Sequence, residues 1–378
     1  MRRRCDAIVV GAGPAGLAVA ACLKARGLDP AILEKADAVG TVWRRHYDRL
    51  HLHTDRARSG LPGLPMPAAF GRYPSRAQVV SYLESYAQTF GLAPVFNTPV
   101  RSLAREDPLW RAETDGGAWE APIAVIATGL ADFPHVPNWP GMESFQGLVL
   151  HSSRYRNPAP FTGQRVLVIG YGNSGGEIAL DLAEAGIRTA MAVRSPVNVI
   201  PREMLGRPIL AWSLASRFLR PRLADAVNAP MLRLAVGSIE KLGLRRAPKG
   251  PLQSVAEDGR VPLIDIGTLD AIREGRIELR GDVAGFTPQG VAFKDAPPEA
   301  FDTVILATGF RPDLRGLLPT ARNVLGAEGA PLVSGGPTAE PGLFFCGATP
   351  SALGQLRQIG IDAANIADAV APRKARAA

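Results

Sequence analysis

The stretch Asp6–Lys35, DAIVVGAGPAGLAVAACLKARGLDPAILEK, decides the fold of this chain. A short β-branched and apolar run at 7–10 predicts a buried strand, followed by a glycine turn and, without a break, an apolar helix. In this pattern Gly11 allows a tight turn, Gly13 lets backbone approach a pyrophosphate, and Gly16 lets the helix lie close to the strand. The stretch therefore predicts a turn whose phosphates rest on a helix N-terminus.

A second strand, predicted at 30–33, completes this first unit. It ends at Glu34, which stands about twenty residues after the turn, where dinucleotide-binding folds place the acceptor for a ribose hydroxyl. Strand, turn, helix, second strand and acid occur in order, so the pattern is far more specific than a glycine motif alone. Pro14, Ala15 and Lys35 flank these positions and join them as candidate cofactor-binding residues.

The stretch 164–195 repeats the design of strand, glycine turn, helix and strand. Its predicted parts are a strand at 165–169, the turn Gly170-Tyr-Gly172-Asn173-Ser174-Gly175, a helix at 176–185 and a strand at 189–193. Arg194 stands where the first copy has its acid. A carboxylate would repel a ribose 2′-phosphate, whereas a guanidinium pairs with it in two-point geometry. The first turn therefore suits FAD and the second suits NADPH.

Three more buried strands are predicted to end at glycines. Two end in Thr128-Gly129 and Thr308-Gly309, and the third reaches Gly347. Such strand ends are where a doubly wound sheet presents its backbone to a ligand. We expect all three to contribute to cofactor binding in the FAD-binding domain.

The order of these elements predicts an α/β fold with two Rossmann-like domains, the first of them discontinuous. We expect the FAD-binding domain at 1–161 and 303–370, the NADPH-binding domain inserted at 162–302, and a disordered tail at 371–378. Within the inserted domain, 201–251 is a helical stretch rich in arginine and leucine.

The helical stretch at 201–251 allows three interpretations. Its basic, amphipathic character could indicate contact with a membrane surface. We favour a helical excursion that packs its apolar side on the domain and leaves its charges in solvent, because this is the more frequent arrangement. A substrate lid is the third.

Composition limits the classes of function. The chain has 378 residues, is 46% hydrophobic and 21% charged, and carries a formal net charge of +8. The arginines are spread along the chain and not interleaved with aromatic residues, so we expect no nucleic-acid partner. No apolar run is long enough to span a bilayer and no signal peptide precedes the first strand, which favours the cytoplasm and argues against membrane association.

Cysteines and histidines indicate neither a metal site nor a dithiol centre. The three cysteines, Cys5, Cys22 and Cys346, are scattered and form no Cys-x-x-Cys pattern. His51 and His53 could share one face of a strand, but no third ligand is near them, so a hydrogen-bonding role is favoured over metal binding. His53 and Trp43 lie in a segment that suits a loop over a cofactor, and both are candidate cofactor-binding residues.

The segment between the two turns carries a family motif. Phe145-Gln-Gly147-Leu-Val-Leu-His151-Ser-Ser-Arg-Tyr155 matches the FxGxxxHxxxY pattern of the flavin-containing monooxygenases at every specified position. Further motifs are similar to the YUCCA branch of that family: Tyr47-Asp-Arg-Leu, Gly172-Asn-Ser-Gly175, Val193-Arg194-Ser, Pro201-Arg202-Glu203-Met204-Leu205-Gly206, Asp265-Ile-Gly267-Thr268-Leu and Leu306-Ala-Thr-Gly309-Phe. The resemblance covers about residues 6–370.

The resemblance implies a FAD- and NADPH-dependent monooxygenase that forms a flavin C4a-(hydro)peroxide and transfers one oxygen atom from O₂ to a small organic substrate. For the YUCCA branch that substrate is an aromatic 2-keto acid, indole-3-pyruvate, which is converted to indole-3-acetate. The cofactors carry this chemistry, so no catalytic nucleophile or metal is expected. Asn173 and Arg202 are candidates for holding NADPH, and His151 is expected to brace the linker between the domains rather than transfer protons.

Two other classes of function stay open at this point. One is a monooxygenase that oxidises amine nitrogen or sulfide; the other is an NADPH oxidase or another FAD-dependent pyridine-nucleotide oxidoreductase. The absence of a Cys-x-x-Cys pattern excludes the dithiol version of the latter. The expected partners are the small-molecule substrate and O₂, and a homodimer is an open alternative to a monomer.

Overall fold

The structure is a computed structural model that describes residues 2–215 and 218–370, so the tail expected at 371–378 lies outside the described residues. The strands are β1 Arg2–Arg4, β2 Ala7–Val10, β3 Pro30–Leu33, β4 Val100–Glu106, β5 Leu109–Thr114, β6 Gly117–Ala121, β7 Ile123–Ile126, β8 Leu148–His151, β9 Arg165–Ile169, β10 Arg188–Ala192, β11 Val199–Pro201, β12 Glu203–Met204, β13 Arg207–Pro208, β14 Leu263–Asp265, β15 Ile277–Arg280, β16 Val283–Thr287, β17 Gly290–Phe293, β18 Glu299–Ala300, β19 Thr303–Leu306 and β20 Leu343–Phe345.

The α-helices are α1 Pro14–Lys24, α2 Thr41–Arg45, α3 Arg76–Thr89, α4 Asn173–Glu184, α5 Ile209–Ala215, α6 Pro221–Val236, α7 Pro251–Asp258, α8 Thr268–Arg273 and α9 Gln355–Val370. The strands expected at 7–10, 30–33 and 165–169 are confirmed at both ends. The helix expected at 176–185 begins three residues earlier, because the last residues of the glycine turn already form its first turn. None of these helices is both long and apolar enough to cross a membrane.

The described residues form two compact units. The first unit consists of 2–44, 54–133 and 310–370. Its central sheet has the order β20-β7-β2-β3, with all strands parallel, and a second sheet has the order β1-β6-β5-β4. Every residue of β2 is buried, and α1 packs against α9. This is the parallel, doubly wound architecture that the opening stretch predicts.

The second unit consists of 45–53 and 134–309. Its main sheet has the order β15-β10-β9-β19-β8, again with all strands parallel. Phe145, the first residue of the FxGxxxHxxxY motif, packs edge-on against Phe286 in the core beside this sheet, with ring centroids 5.6 Å apart. Both units therefore have the sheet type expected for a dinucleotide-binding domain.

The divisions between the units differ from the expected boundaries of 162 and 302. Strand β8 lies before residue 162, yet it pairs with β19, which we expected to open the second part of the FAD-binding domain. Because β19 also pairs with β9, both strands complete the sheet of the second unit. Residues 45–53 belong to that unit as well, although they lie between β3 and α3 in the sequence.

The helical excursion at 201–251 is more varied than expected. It opens with the short hairpin β12–β13, and among its described residues only α5, α6 and the start of α7 are α-helical. The expectation that its apolar side packs on the domain is wrong for α6, where Leu223, Val227 and Leu234 are exposed.

Candidate functional site

The first glycine turn has the three-part geometry that the sequence predicts. Gly11 has a φ of +107°, and a Cβ there would lie 2.7 Å from the carbonyl oxygen of Ala127. A Cβ on Gly16 would lie 1.8 Å from the carbonyl oxygen of Gly11, so helix and turn meet without room for a side chain. At Gly13 a Cβ would meet nothing within 4 Å. The turn is thus closed on the protein side and open where a phosphate would approach.

The helix that follows this turn has no cap of its own. The N-cap of α1 is Gly13, no side chain accepts a hydrogen bond from the first turn, and no acidic residue lies there. By contrast, α3 has a capping box, in which Ser75 and Gln78 bond each other's backbone N–H groups. The uncapped N–H groups and the helix dipole of α1 suit an anionic group such as a pyrophosphate.

Glu34 is held at the end of β3, beside the first turn. It is buried, its Oε2 accepts a hydrogen bond from Ala12 N at 2.6 Å, and its Oε1 accepts one from Ala36 N at 2.9 Å. Each carboxylate oxygen has a second lone pair, so the group can still accept a ribose hydroxyl. The carboxylate therefore also braces the turn, a role that the sequence analysis did not include.

The remaining candidates of the first unit lie in several places. Thr128 and Gly129 line a small cavity together with Cys346 and Ala348, which follow β20, and with residues of the segment before β20. Gly347, with a φ of +68°, donates its N–H to Asp362 Oδ2 at 3.1 Å, which anchors it to α9. Lys35 pairs with Asp132, and Trp43 is half-buried on α2. Pro14 and Ala15 are the first two residues of α1.

The second glycine turn repeats the geometry of the first. Gly170 has a φ of +120°, and its Cβ would lie 2.3 Å from the carbonyl oxygen of Ala307. A Cβ on Gly175 would lie 2.2 Å from the carbonyl oxygen of Gly170, whereas one on Gly172 would meet nothing within 4 Å. Gly172 is the N-cap of α4 and no side chain caps this helix. The second turn is therefore a second candidate phosphate site.

Asn173 and Ser174 open α4. Asn173 Oδ1 accepts a hydrogen bond from Ile264 N at 2.7 Å, which ties the turn to β14. The side chain of Ser174 is a hydrogen-bond partner of Tyr47. Arg202 is half-buried after β11, and its backbone N–H donates to Asp265 O at 3.3 Å.

Arginine side chains lie at the end of β10, where the first unit has its acid. Arg194 is exposed, and its carbonyl oxygen accepts a hydrogen bond from Arg245 Nη2 at 2.6 Å. Arg245 is also exposed, so two guanidinium groups are available near this strand end. The sequence analysis missed Arg245, because it lies some fifty residues further on in the helical excursion.

A buried carboxylate stands one turn into α4. Glu177 is 2% exposed, and its Oε1 lies 2.9 Å from His53 Nε2. Glu177 also bonds the hydroxyl of Tyr47, and burial followed by the charge of Glu177 raises the Tyr47 pKa well above its ordinary value. His53 therefore contacts the helix of the second turn, and the expectation that it lies in a loop over a cofactor stays a prediction.

A second carboxylate follows one turn later on α4. Asp181 Oδ2 accepts a hydrogen bond from the hydroxyl of Tyr155, the last residue of the FxGxxxHxxxY motif, at 2.8 Å. Arg49 Nη1 lies 3.3 Å from Asp181 Oδ1 and 2.8 Å from Glu184 Oε2. Tyr47, Arg49 and His53 thus all attach residues 45–53 to the same helix.

His151 is held in one tautomer. Its Nδ1 accepts the N–H of Ser153 at 3.1 Å, so Nε2 carries the proton and donates to Gly309 O at 3.0 Å. Burial is the main cause that lowers the His151 pKa below its ordinary value. Both ring nitrogens are occupied by backbone, which favours a bracing role over proton transfer, although the brace lies within the second unit.

Thr308 and Gly309 lie in the second unit, not in the first as we expected. They follow β19, and Thr308 Oγ1 donates to His135 O at 2.5 Å. The two Ala-Thr-Gly strand ends have equivalent positions: Ala127 backs Gly11 in the first unit and Ala307 backs Gly170 in the second. Each therefore serves the glycine turn of its own unit.

The chain is similar in sequence to several known proteins. A family model described as pyridine nucleotide-disulphide oxidoreductase matches residues 8–206. The chain is 43% identical over 328 residues to the indole-3-pyruvate monooxygenase YUCCA1 of Oryza sativa subsp. japonica, covering 85% of this chain and 81% of that protein. It is 38% identical over 354 residues to the indole-3-pyruvate monooxygenase YUCCA6 of Arabidopsis thaliana, covering 90% and 85%.

Solved structures give the same picture. A flavin-containing monooxygenase from Stenotrophomonas maltophilia superimposes with a TM-score of 0.73 at 26% identity, covering 98% of this chain and 100% of that one. A cyclohexanone monooxygenase from Rhodococcus sp. Phi1 bound to NADP⁺ shares the fold, with a TM-score of 0.75 at 21% identity over 98% of this chain and 85% of that one.

Proposed function

Because the chain belongs to the YUCCA branch of the flavin-containing monooxygenases, we propose that it converts an aromatic 2-keto acid, indole-3-pyruvate, to indole-3-acetate. The enzyme class follows from the family: it is an oxidoreductase that depends on FAD and NADPH. One observation carries the assignment to this chain's own residues. The chain has two glycine turns that leave room for a phosphate and lead into helices without a side-chain cap. The strand after the first helix is followed by Glu34, and the strand after the second helix leads to Arg194.

The first turn fits FAD. The N–H groups at the start of α1 would hold the pyrophosphate, and the open space at Gly13 lets it approach the backbone. Glu34 would accept a ribose hydroxyl while its bonds to Ala12 and Ala36 keep it in place. When bound, FAD takes hydride from NADPH and activates O₂, so the redox chemistry is that of the cofactors.

The second turn fits NADPH. The N–H groups at the start of α4 would hold the pyrophosphate, with Gly172 leaving room for it. Arg194 and Arg245 would pair with the 2′-phosphate that distinguishes NADPH from NADH. We further assign Asn173 and Ser174 to orientation of this coenzyme, because β14 and Tyr47 hold their side chains in place.

The proposed substrate, indole-3-pyruvate, is the one that the names of the relatives give. The balanced reaction makes this proposal testable. The keto acid, O₂, NADPH and one proton give the arylacetate, CO₂, NADP⁺ and water, so the C1–C2 bond of the keto acid breaks and one oxygen atom of O₂ enters the new carboxylate. No disulfide joins the three cysteines, and burial raises the pKa of the Cys346 thiol well above its ordinary value. These thiols therefore give no support to dithiol chemistry, despite the name of the matching family model.

The test is product analysis by mass spectrometry after incubation of the FAD-loaded protein with NADPH, ¹⁸O₂ and indole-3-pyruvate. We expect indole-3-acetate with one ¹⁸O atom, in a one-to-one ratio to the NADPH consumed. Phenylpyruvate tests the breadth for keto acids, and trimethylamine and a thioether test the rival monooxygenase class.

Two outcomes would overturn the proposal. Turnover of the amine or thioether while both keto acids stay inert would assign an N- or S-oxygenating enzyme. NADPH consumption matched fully by hydrogen peroxide with every substrate would assign an oxidase.

We propose that the protein resides in the cytoplasm, since no cysteine is paired in a disulfide. For its assembly, a homodimer stays the alternative to a monomer.

A further inference from the structure

Helix α6 turns large apolar side chains toward solvent. Leu223, Val227 and Leu234 are 54%, 63% and 88% exposed, and their spacing of four and seven residues places them on one side of the helix. Phe218, just before the helix, is 83% exposed. An exposed apolar stripe of this kind indicates a surface that meets something other than water.

The opposite side of α6 is the one that joins the domain. Ala224, Asp225 and Val236 are buried, and the helix packs against α7 and β11. Both carboxylate oxygens of Asp225 are used there, accepting from Leu252 N at 3.0 Å and Gln253 N at 2.8 Å at the start of α7. The apolar stripe is therefore separate from the face that holds α6 in the fold.

The charges of the sequence from Met204 to Ile239 are cationic apart from one buried acid. Between Met204 and Ile239 the sequence has five cationic residues and a single acidic one, Asp225, which is buried and bonded to backbone. The cations are Arg207, Arg217, Arg220, Arg222 and Arg233. Exposed acids follow at Glu240 and, on α7, at Glu257, and each is paired with a basic residue. A helix surface of leucine, valine and arginine complements an apolar layer bordered by anions.

We propose that this surface of α6, made of Leu223, Val227, Leu234, Arg222 and Arg233, docks on a bilayer of anionic phospholipid. The helix has 16 residues, about 24 Å, and carries charge on its exposed side, so it lies in the interface and does not span it. The leucines and valine enter the acyl boundary, and the arginines extend to the phosphates. A second copy of the chain fits less well, because a two-fold contact would bring arginines against arginines.

The test is flotation of the FAD-loaded protein with vesicles of pure phosphatidylcholine or of phosphatidylcholine with 30% phosphatidylglycerol. We expect binding to the anionic vesicles only, weakened by 0.5 M salt, about fivefold weaker for each of Arg222→Gln and Arg233→Gln, and at least tenfold weaker for the triple variant Leu223→Gln/Val227→Gln/Leu234→Gln. The control is Leu332→Gln/Val333→Gln, which changes exposed apolar residues of the first unit and should leave binding unchanged.

FAD content and NADPH oxidation without vesicles are measured for every variant, and we expect both to match the unmodified protein. The proposal is overturned if neither vesicle binds, or if the control weakens binding as much as the triple variant. It is also overturned if the triple variant instead dissolves a dimer seen by size exclusion, or raises the KM for the keto acid. The first of these two results would assign the surface to a second copy and the second to substrate entry.

Discussion

The first glycine turn, Gly11–Gly16, and the second, Gly170–Gly175, use their glycines in the same way. In each turn, a Cβ on the first glycine would clash with the alanine carbonyl of an Ala-Thr-Gly strand end, and a Cβ on the third would clash with the carbonyl of the first. A Cβ on the second glycine would contact nothing. They differ in the residue that stands at the end of the next strand, which is Glu34 in the first unit and Arg194 in the second. The comparison shows that the glycine geometry is common to both turns, and we propose that the residue at the end of the next strand selects the nucleotide.

The helices behind the two turns differ as well. In α1 the residues from Ala15 to Leu23 are apolar or small, and nearly all are buried, so the helix is held by packing. In α4, Glu177 and Asp181 are held by residues 45–53 and by Tyr155. The second turn is thus placed by a polar network that includes chain from a distant part of the sequence.

The largest effect is expected where the two turns are most alike. Gly16→Ala and Gly175→Ala each put a Cβ within 2.2 Å of a backbone carbonyl oxygen, which only a shift of the helix can relieve. We expect a loss of about 4 kcal/mol or more in the free energy of unfolding, and therefore little folded protein. Soluble yield and denaturant unfolding measure it.

The open glycines are the matched controls. Gly13→Ala and Gly172→Ala meet no protein atom, so both variants should fold. Gly13→Ala should then lose FAD, and Gly172→Ala should keep FAD but raise the KM for NADPH about tenfold. Normal FAD content in Gly13→Ala would show that the open side of the turn is not where the pyrophosphate lies.

Glu177→Ala tests whether α4, unlike α1, is held in place by a network of polar side chains. Removal of this buried carboxylate leaves His53 and Tyr47 without their partner, for which we expect a loss of about 2–4 kcal/mol in the free energy of unfolding. Because Tyr47 also contacts Ser174, the KM for NADPH should rise while FAD content stays unchanged.

The control is Glu184→Ala, which removes an exposed carboxylate of the same helix that pairs with Arg49. A surface ion pair contributes at most about 1 kcal/mol, so this variant should differ little from the unmodified protein. Equal destabilisation by the two substitutions would contradict the role given to burial.

Arg194→Ala tests whether the arginines at the end of β10 select NADPH over NADH. A charge-assisted bond to the 2′-phosphate contributes about 1.5–3 kcal/mol, so the ratio of kcat/KM for NADPH over NADH should fall by roughly ten- to a hundredfold. Arg194→Ala/Arg245→Ala should lower it further. Arg188→Ala, at the other end of the same strand, should leave the ratio unchanged. Equal kcat/KM values for the two coenzymes in the unmodified enzyme would refute the assignment.

The smallest effect concerns His151 and pH. Its pKa is lowered in the folded state, so the unfolded chain binds the proton first and stability falls as the pH drops below about 6.5. One such group contributes a slope of up to about 1.4 kcal/mol per pH unit. We expect His151→Gln to flatten the pH dependence of unfolding between pH 7.5 and 5.5, compared with the exposed control His51→Gln. An unchanged slope would contradict it.

The sequence predicted the parts of the fold that depend on local order. Both turns, the strands around them, Glu34 and Arg194 follow from glycine spacing and from the residue after the next strand. Thr308-Gly309 was assigned to the wrong unit, because its motif is identical to Thr128-Gly129 and only strand pairing tells which sheet it joins.

The residues that the sequence analysis missed are those brought in from a distance. Arg245 reaches Arg194 across the helical excursion, and Tyr47 reaches Ser174 from a segment more than a hundred residues earlier. No periodicity or spacing links such positions. The exposed stripe of α6 was ranked wrongly for another reason. The sequence analysis preferred packing on the domain to contact with a membrane surface, and an amphipathic pattern shows that a helix has an apolar side but not which side faces the domain.

The attachment of residues 45–53 to α4 has a consequence for protein synthesis and for dissection of the chain. These residues are synthesised more than a hundred residues before α4. Until α4 has been made, Tyr47 lacks its partner Glu177 and Arg49 lacks its partner Asp181. A fragment expressed as 134–309 would leave Glu177 and Asp181 without those partners. To be studied alone, the second unit therefore needs the short early segment as well, supplied as a peptide or fused through a linker.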